Sequence, residues 1–149
     1  GFFIFSIFTI ILIIMIQEIP LDTVLLLRQQ VLWPDKDLEF VRTPNDHQGV
    51  HLGVCIEGQW VSCISLFLEE NRHAVFRKFA TLPDFQNKGY GSQLLHYSFN
   101  YLQQQGVHSI SCSARVEKQS YYLKFGMQPN GYPYLKNGLQ YVTMEVNVK

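Results

Sequence analysis

The sequence predicts a mixed α/β protein of the α+β type, with a mostly antiparallel sheet of about six to seven strands flanked by helices. Two β-rich runs, Val50 to Ile56 and Trp60 to Leu68, are joined by Glu57-Gly58, a dipeptide typical of a tight hairpin. A third run, His73 to Leu82, follows a polar turn, so the three runs favour a meander. A helix pattern separates the third run from Val107 to Ala114, which makes those two strands expected parallel neighbours through a right-handed crossover.

The 149 residues suit one domain. Twelve basic residues balance twelve acidic ones, so the chain lacks the basic field that nucleic-acid binding requires, and nucleic acid is not an expected partner. Cys55, Cys63 and Cys112 are odd in number and widely spaced, which predicts neither a disulfide framework nor a zinc site. We interpret them as buried thiols of a protein in a reducing compartment, the cytoplasm, and expect no bound metal.

The N-terminal block, Gly1 to Ile16, is uncharged and apolar. As a helix its 16 residues would span about 24 Å, whereas a typical membrane span needs about 20 apolar residues. It also lacks the basic region and cleavage site of a secretory signal. We interpret residues 1–14 as an apolar extension that precedes a domain of residues 15–149. A membrane anchor within residues 1–16 and a segment that forms a homodimer stay open as alternatives, since an exposed apolar run of this kind would aggregate.

The first half of the domain begins with a short strand and a helix. Met15 to Ile19 is the strand, and Pro20 followed by Asp22 supplies the start of a helix through Leu32, with Asp22 as its N-cap. The stretch Pro34 to Gln48 is rich in Pro, Asp and Asn, which predicts a loop or irregular helix of the kind that borders binding sites. We therefore expect it on the substrate side.

The second half carries two helices and the last strands. Gly89 to Gln105 has its apolar residues on one helical face, and Gly106 is the expected residue after its C-cap. Lys118 to Phe125 predicts a short helix that ends at Gly126. The last strands are expected at Tyr132 to Tyr134 and Leu139 to Val148, joined by an Asn137-Gly138 turn.

The segment Phe79 to Gly91 passes from a strand through a tight turn into a helix. The first amides of a helix have no internal acceptors and lie at the positive end of its dipole, so a pyrophosphate can bind there. Gly89 and Gly91 would let phosphates approach the backbone. The Walker motif does not match, because Lys88 precedes Gly89 and is not followed by the Ser or Thr that this motif requires. The dinucleotide-binding motif does not match either, because its third glycine is missing.

At this loop the chain resembles the GNAT superfamily of N-acetyltransferases. The family's Gln/Arg-x-x-Gly-x-Gly/Ala loop is matched by Gln86, Gly89 and Gly91, its approach strand and turn by Leu82 to Gln86, and its later aromatic signature by Tyr121 to Met127. The resemblance implies a GNAT-like fold with a splayed parallel strand pair at the cofactor site. It also implies transfer of the acetyl group of acetyl-coenzyme A to the primary amine of a small molecule or peptide by direct attack.

The resemblance assigns the cofactor to one continuous stretch and the chemistry to two side chains. Backbone amides near Thr81, exposed after a bulge, would take the pantetheine arm and thioester oxygen. Tyr122 would protonate the leaving thiolate, since a phenol near pKa 10 stays protonated at neutral pH. An alignment slip would give this role to Tyr121, and either ring could instead be a core aromatic. The expected cofactor-binding residues are Thr81, Leu82, Gln86, Asn87, Lys88, Gly89, Tyr90, Gly91 and Ser92.

The general base is the least determined residue. Glu70 is the predicted base, from a turn that also holds Glu69 and His73, although each of the three could be a solvated turn residue. Arg77 could meet an acidic group of the substrate or a local carboxylate. Two other functions stay open: a non-catalytic module that binds coenzyme A with a GNAT-like fold, and a membrane-tethered interaction protein whose function lies in the N-terminal block.

Overall fold

The structure is a computed structural model that describes residues 14–149. Its contacts divide the chain into two compact units, described separately below. The first unit comprises the described residues up to Leu66 together with Lys78–Ser98, and the second comprises Phe67–Arg77 and Phe99–Lys149. The predicted extension of residues 1–14 lies outside the described residues except for Ile14. The proposed boundary between residues 14 and 15 therefore stays a prediction.

The first unit contains an antiparallel sheet and two helices. The strands lie in the order β1-β2-β3. Ile14 of β1 lies opposite Ile56 of β2, and Val50 of β2 lies opposite Leu66 of β3. The first helix packs on a cluster formed with Cys63 of β3 and Ala80. The elements that begin here are β1 (Ile14–Glu18), α1 (Leu21–Leu32), α2 (Leu38–Val41), a 3-10 turn (Asp46–Gln48), β2 (Val50–Ile56) and β3 (Gln59–Leu68).

The remaining elements complete the chain, and β4 and α3 each contribute residues to both units. In the second unit β4 pairs parallel with β5, and β5, β6 and β7 each pair antiparallel with β8. Phe76 of β4 packs against Phe99 of α3 at a ring separation of 6.3 Å. These elements are β4 (His73–Thr81), α3 (Tyr90–Gln104), β5 (Ser109–Arg115), α4 (Gln119–Leu123), β6 (Gln128–Pro129), β7 (Tyr134–Lys136) and β8 (Leu139–Asn147).

The predicted fold class is confirmed. The strands pair mostly antiparallel, with one parallel pair from β4 and β5, and helices accompany them. The described residues contain eight strands rather than six to seven. The excess comes from β6, a two-residue strand with no alternation long enough to detect in the sequence.

Two predicted boundaries were wrong for local reasons. Helix α1 begins at Leu21, and its N-cap is Pro20, whose carbonyl accepts from the Val24 amide at 3.0 Å, so the predicted N-cap Asp22 lies in the first turn instead. The predicted strand Tyr132 to Tyr134 shifts to β7, which starts after Pro133. A proline has no amide to donate to a strand partner, and the Asn137-Gly138 turn sets Lys136 opposite Leu139.

The predicted end of α3 at Gly106 is confirmed, whereas α4 ends at Leu123, two residues before the predicted Phe125. Gly106 has a φ of 86°, its amide donates to the carbonyl of Gln103, and the Val107 amide donates to Leu102, the pattern of a Schellman cap. Gly126, with a φ of 84°, follows α4 in the same left-handed conformation. Within residues 14–149, no helix combines the length and apolar character that crossing a membrane requires.

Candidate functional site

The strand that leads to the predicted cofactor loop is irregular near its end. The parallel register joins His73 to Ser109 and continues to Val75 and Ser111, although β4 itself extends to Thr81. Lys78 has a φ of 55°, a left-handed conformation that non-glycine residues seldom adopt and that is typical of a bulge. The bulge expected from the sequence therefore has a backbone counterpart at Lys78.

The backbone of Thr81 is directed away from β3. The Leu82 amide donates to the Val61 carbonyl at 2.8 Å, and the Ser62 hydroxyl donates to the Ala80 carbonyl at 3.0 Å. Because successive residues of a strand direct their amides to opposite sides, the intervening Thr81 amide points to the other side. Thr81 is thus placed to offer its amide to a ligand, whereas the Leu82 amide is already used.

The loop after β4 turns twice through left-handed backbone. Pro83–Phe85 form a 3-10 turn, and then Asn87 and Gly89 adopt φ values of 61° and 88° on either side of Lys88. Alternation of this kind makes successive amides converge into an anion-binding concavity. The Gln86 side chain donates to the Thr81 carbonyl at 2.9 Å, so this residue braces the loop against the strand.

Helix α3 starts directly at this loop. The Gln93 amide donates to the Gly89 carbonyl at 3.0 Å, an ordinary helical bond, whereas the amides of Tyr90 and Gly91 precede it and have no helical carbonyl to bind. A Cβ added to Gly89 would meet no atom within 4 Å. Open space, converging amides, the helix dipole and the nearby Lys88 cation together fit a pyrophosphate.

Gly91 is required for a reason that the sequence did not indicate. A Cβ added there would lie 3.2 Å from Thr81 Oγ1 and 3.3 Å from the Phe79 ring. The Thr81 hydroxyl is held by Ser62 Oγ at 2.9 Å, so it cannot move aside freely. The glycine therefore lets the first turn of α3 lie against β4, in addition to any role toward phosphate.

Tyr122 lies in α4 of the second unit, partly buried against β4 and β5. Its ring is 5.9 Å from that of Phe76 and 5.3 Å from that of Tyr121. Burial raises the pKa of Tyr122 far above its ordinary value, and the neighbouring Cys112 and Tyr121 raise it further. The phenol therefore keeps its proton at every physiological pH.

Tyr121 contacts an aromatic ring that follows α4. Its ring lies 5.2 Å from that of Phe125, four residues further along the chain and just beyond the end of α4 at Leu123. Tyr122 is the tyrosine that packs on Phe76 of the strand leading to the cofactor loop. Both adjacent tyrosines therefore stay candidates for the functional residue.

Glu70 is exposed in the turn between β3 and β4, where the Glu69 amide donates to the His73 carbonyl at 2.8 Å. Among the described residues no hydrogen bond, ion pair or ring contact joins Glu70 to Tyr122. The nine residues of β4 separate it from the cofactor loop, about 30 Å of extended chain. The role of Glu70 therefore stays a prediction.

The other polar residues considered near this turn have local partners. The His73 ring nitrogens lie 2.6 Å from Ser109 Oγ and 2.8 Å from Ser111 Oγ. The Arg77 guanidinium lies over the Phe67 ring at 5.8 Å, so it stacks on an aromatic face and does not form the carboxylate pair considered as an alternative. Both side chains are therefore held by the sheet of the second unit.

A buried ion pair braces the predicted substrate-side segment in the first unit. The Arg28 guanidinium is fully buried and donates to both carboxylate oxygens of Asp46 at 2.9 Å, to the Val41 carbonyl and to Ser65 Oγ. Burial alone would raise the pKa of Asp46, but hydrogen bonds from Arg28 and Thr43 outweigh it and lower this pKa to about 2. The segment is therefore tied to α1 and β3.

Sequence reasoning missed Ser62, which holds both the Ala80 carbonyl and the Thr81 hydroxyl. A signal for it exists, because Ser62 and Ser65 interrupt an otherwise apolar strand and both are fully buried. Buried hydroxyls need hydrogen-bond partners, so a serine in such a strand indicates a polar contact with a neighbouring element. The sequence alone could not say which element supplies that partner.

Comparison with known proteins identifies the family. Residues 18–127 match the model of the Acetyltransferase (GNAT) family, well over half of the chain. An uncharacterized N-acetyltransferase of Bacillus subtilis strain 168, YitI, is 28% identical over 127 residues, which cover 80% of this chain and 85% of that protein.

Solved structures share the fold. One from Lactobacillus plantarum, provisionally described as an N-acetyltransferase, superposes with a TM-score of 0.81 at 18% identity and covers 91% of this chain and 97% of that one. A GNAT family acetyltransferase of Elizabethkingia anophelis, solved with acetyl-CoA bound, gives a TM-score of 0.69 at 18% identity over 90% of this chain and 97% of that one. The match across residues 18–127, together with this fold, establishes that the chain belongs to the GNAT family of acetyltransferases.

Proposed function

We propose that the chain is an N-acetyltransferase that moves the acetyl group of acetyl-coenzyme A to the primary amine of a small molecule or peptide by direct attack. Acetyl transfer follows from the family, and a related structure carries acetyl-CoA. The observation that best supports the proposal is the loop at Asn87 and Gly89, where two left-handed residues open a helix beside open space. Acetyl-coenzyme A supplies an activated thioester and a pyrophosphate anion.

The cofactor-binding role falls on the segment from Thr81 to Ser92. The amides of Tyr90 and Gly91 bind the pyrophosphate, with Asn87, Gly89 and Ser92 shaping the same turn and Lys88 contributing a positive charge. The Gln86 side chain holds the loop in place, and the Thr81 amide donates a hydrogen bond to the thioester oxygen. Leu82 contributes by its place in the turn, because its amide donates to Val61, its carbonyl accepts from the Phe85 amide and its side chain packs on the cluster around Ala80.

Tyr122 is the proposed general acid. A phenol with an ordinary pKa near 10 carries its proton at neutral pH, so Tyr122 can donate a hydrogen bond and a proton to a departing thiolate, whose thiol has an ordinary pKa near 8.5. Burial raises the pKa of Tyr122, which holds the proton on the phenol and makes the complete transfer of that proton less favourable. The packing of Tyr122 on Phe76 fixes the ring, which a positioned acid requires. A non-catalytic protein that only binds coenzyme A would not need this hydroxyl.

Glu70 is the proposed base, acting on the amine through water. This assignment is supported only by the ability of a carboxylate to accept a proton. The turn that holds Glu70 is exposed, and the length of β4 lies between it and the cofactor loop along the chain. Glu70→Gln should lower kcat and remove the acidic limb of the pH-rate profile, while Glu69→Gln serves as the neighbouring control. Identical pH profiles for wild type and Glu70→Gln would assign deprotonation of the amine to another group or to bulk water.

The test of the function is release of free thiol from acetyl-coenzyme A in the presence of polyamines, amino acids, aminoglycosides and peptides. Protein without acetyl-coenzyme A is the blank, since Cys55, Cys63 and Cys112 are free thiols. Release that depends on an amine supports the transferase. Calorimetric binding of coenzyme A without release would indicate the non-catalytic module, and absence of both would favour the interaction protein whose function lies in residues 1–16.

The three free cysteines also support the proposal of a cytoplasmic location. Burial raises the pKa of the Cys63 and Cys112 thiols to about 12, so they resist oxidation in the folded protein. A homodimer remains part of the proposal, to be tested by sedimentation at several protein concentrations.

A further inference from the structure

A buried serine hydroxyl binds the peptide group that carries the Thr81 amide. Ser62 is fully buried in β3, and its hydroxyl donates to the Ala80 carbonyl at 3.0 Å. The Ala80 carbonyl and the Thr81 amide belong to one planar trans peptide group, in which the C=O and N–H bonds point in opposite directions. The bond from Ser62 therefore also fixes the direction of the Thr81 amide, away from β3.

The directions of the hydrogen bonds around Ser62 follow from its single hydroxyl proton. That proton is donated to the Ala80 carbonyl, so the Ser62 oxygen accepts from the Thr81 hydroxyl, which lies 2.9 Å away. A chain results, in which the Thr81 hydroxyl donates to Ser62 and Ser62 donates to the peptide group that ends in the Thr81 amide. Hydrogen bonds in such a buried chain polarise one another, so the amide at its end becomes a stronger donor.

The second peptide group at Thr81 is held as well. The Gln86 side chain donates to the Thr81 carbonyl at 2.9 Å, and the Leu82 amide of the same peptide group donates to the Val61 carbonyl at 2.8 Å. All of these residues belong to the first unit. The direction of the Thr81 amide is therefore set by contacts within the protein, as electrostatic preorganisation requires.

The Thr81 amide is the proposed donor to the thioester oxygen, the atom on which charge develops. As the acceptor amine adds to the carbonyl carbon, an electron pair of the C=O bond moves onto this oxygen, and it returns when the thiolate departs. A polarised donor stabilises the negative oxygen more than the uncharged carbonyl, so it lowers the barrier. We propose that Ser62 is a positioning residue for acetyl transfer, whose hydroxyl directs and polarises the Thr81 amide toward the developing oxyanion. This inference rests on the proposed role of the Thr81 amide.

Ser62→Ala removes this hydroxyl with little change in side-chain shape. It should lower kcat by about 3-fold to 30-fold, below the roughly 100-fold or more that is typical when a direct oxyanion donor is lost. The dissociation constant of coenzyme A should stay within about 2-fold of the wild-type value, because coenzyme A has no thioester carbonyl for the Thr81 amide to bind. Turnover is measured on an amine from the screen, and affinity by calorimetric titration.

Ser98→Ala is the matched control for the loss of a buried hydroxyl. Ser98 is also fully buried, and its hydroxyl donates to the Leu94 carbonyl at 2.8 Å within α3, so its removal should leave kcat unchanged. Thr81→Val keeps the amide and removes the first donor of the chain, so its kcat should lie between those of wild type and Ser62→Ala. Wild-type kcat in Ser62→Ala, or an equal loss in Ser98→Ala, would overturn the positioning role.

An infrared test does not depend on turnover. Acetyl-coenzyme A with an isotope label at its thioester carbonyl is bound without an amine, and the carbonyl stretching frequency is compared with that of the free cofactor. A hydrogen bond to the oxygen lowers this frequency, so the shift should be large in wild type and Ser98→Ala, and smaller in Ser62→Ala. Ser62→Cys, which has a weaker donor, should be intermediate.

The infrared result separates this inference from the proposed function. Circular dichroism establishes that each variant is folded, and Thr81→Val and Ser62→Cys supply the comparison if Ser62→Ala is not. A shift that depends on Ser62, without amine-dependent thiol release, would retain the role of Ser62 at the thioester and reject the transferase. Thiol release with the same shift in wild type and in the folded Ser62 variants would overturn the role of Ser62 alone.

Discussion

Tyr121 and Tyr122 are adjacent in the sequence but have different surroundings. Tyr122 packs on Phe76 of β4 and lies near Cys112 of β5, whereas Tyr121 also contacts Phe125. A side chain held against two strands has a fixed hydroxyl position, which a proton donor needs. Arg28 and Asp46 show the same principle for charge, because their mutual hydrogen bonds permit both groups to be buried.

Tyr122→Phe should lower turnover by about 100-fold to 10,000-fold if chemistry limits the rate, because the phenyl ring fills the same space without donating a proton. Affinity for coenzyme A should barely change. Tyr121→Phe is the matched control and should be nearly silent. Turnover is measured for both variants on an acceptor from the amine screen. Wild-type activity in Tyr122→Phe, or a large loss in Tyr121→Phe alone, would remove Tyr122 as the acid.

The Arg28–Asp46 pair should make stability fall in acid. The pKa of Asp46 drops from 3.8 to about 2 on folding, so its contribution is complete above pH 4 and is lost as the pH falls through 2. The shift corresponds to about 2 kcal/mol of unfolding free energy. Urea unfolding at pH 5, 4 and 3 measures it.

Two variants control this acid dependence. Asp46→Asn should lose the Asp46 part of the pH slope, and should be destabilised by about 3 to 5 kcal/mol because Arg28 stays buried without its counterion. Glu39→Gln removes the carboxylate of the exposed Arg42 pair and should keep the wild-type slope. Wild-type acid dependence in Asp46→Asn would show that other carboxylates carry the effect.

At the scale of elements, the connection from β4 to α3 contains two glycines that are needed for different structural reasons. Gly89 needs its left-handed φ and leaves open space in front of it, whereas Gly91 permits close contact between α3 and β4. Ser62 and Gln86 fix the strand and the loop on either side. These contacts brace the predicted cofactor loop, and a loop that is braced before a ligand binds loses less entropy on binding.

Gly89→Ala should raise the dissociation constant of coenzyme A by about 5-fold or more, since a methyl group enters the open space and the left-handed backbone becomes costly by about 1 to 2 kcal/mol. Gly58→Ala is the matched control, because Gly58 has a φ of 83° and equally open surroundings in the β2-β3 turn. Calorimetric titration compares the two folded variants. Equal affinities would mean that the phosphates bind elsewhere.

At the scale of the whole molecule, both units depend on the same few elements, since β4 and α3 each contribute residues to both. β4 begins in the parallel pair with β5 and ends at the cofactor loop. The first described strand, β1, pairs with β2 from Ile14 to Glu18, and Met15 is half exposed. A chain that retains β1 therefore retains the sheet of the first unit.

A chain beginning at Met15 should fold and bind coenzyme A as tightly as the full chain if residues 1–14 are an extension. Of the residues that the structure describes, it loses one paired residue of β1, Ile14. Size-exclusion chromatography and calorimetric titration measure this. Aggregation, or a changed oligomeric state of the shorter chain, would place the N-terminal block within the native assembly.

The sequence by itself determined the family and most of the helices and strands. A β-rich run predicted β2 at Val50–Ile56 with its bounds, and the dipeptides Glu57-Gly58 and Asn137-Gly138 predicted turns that have the required left-handed φ values. Two spaced motifs predicted the GNAT family. These signals are local, since each depends on the conformational preferences of a few consecutive residues, so they can be read without knowing the contacts of the folded chain.

Only the tertiary structure decided how individual groups are used. It assigned the Leu82 amide to Val61, explained Gly91 by its contact with Thr81, and placed Tyr122 against Phe76. It also paired Arg28 with Asp46, 18 residues apart. The physical reason is that hydrogen bonds and burial depend on which distant residues meet, and their free energies exceed the local preferences that a sequence pattern records.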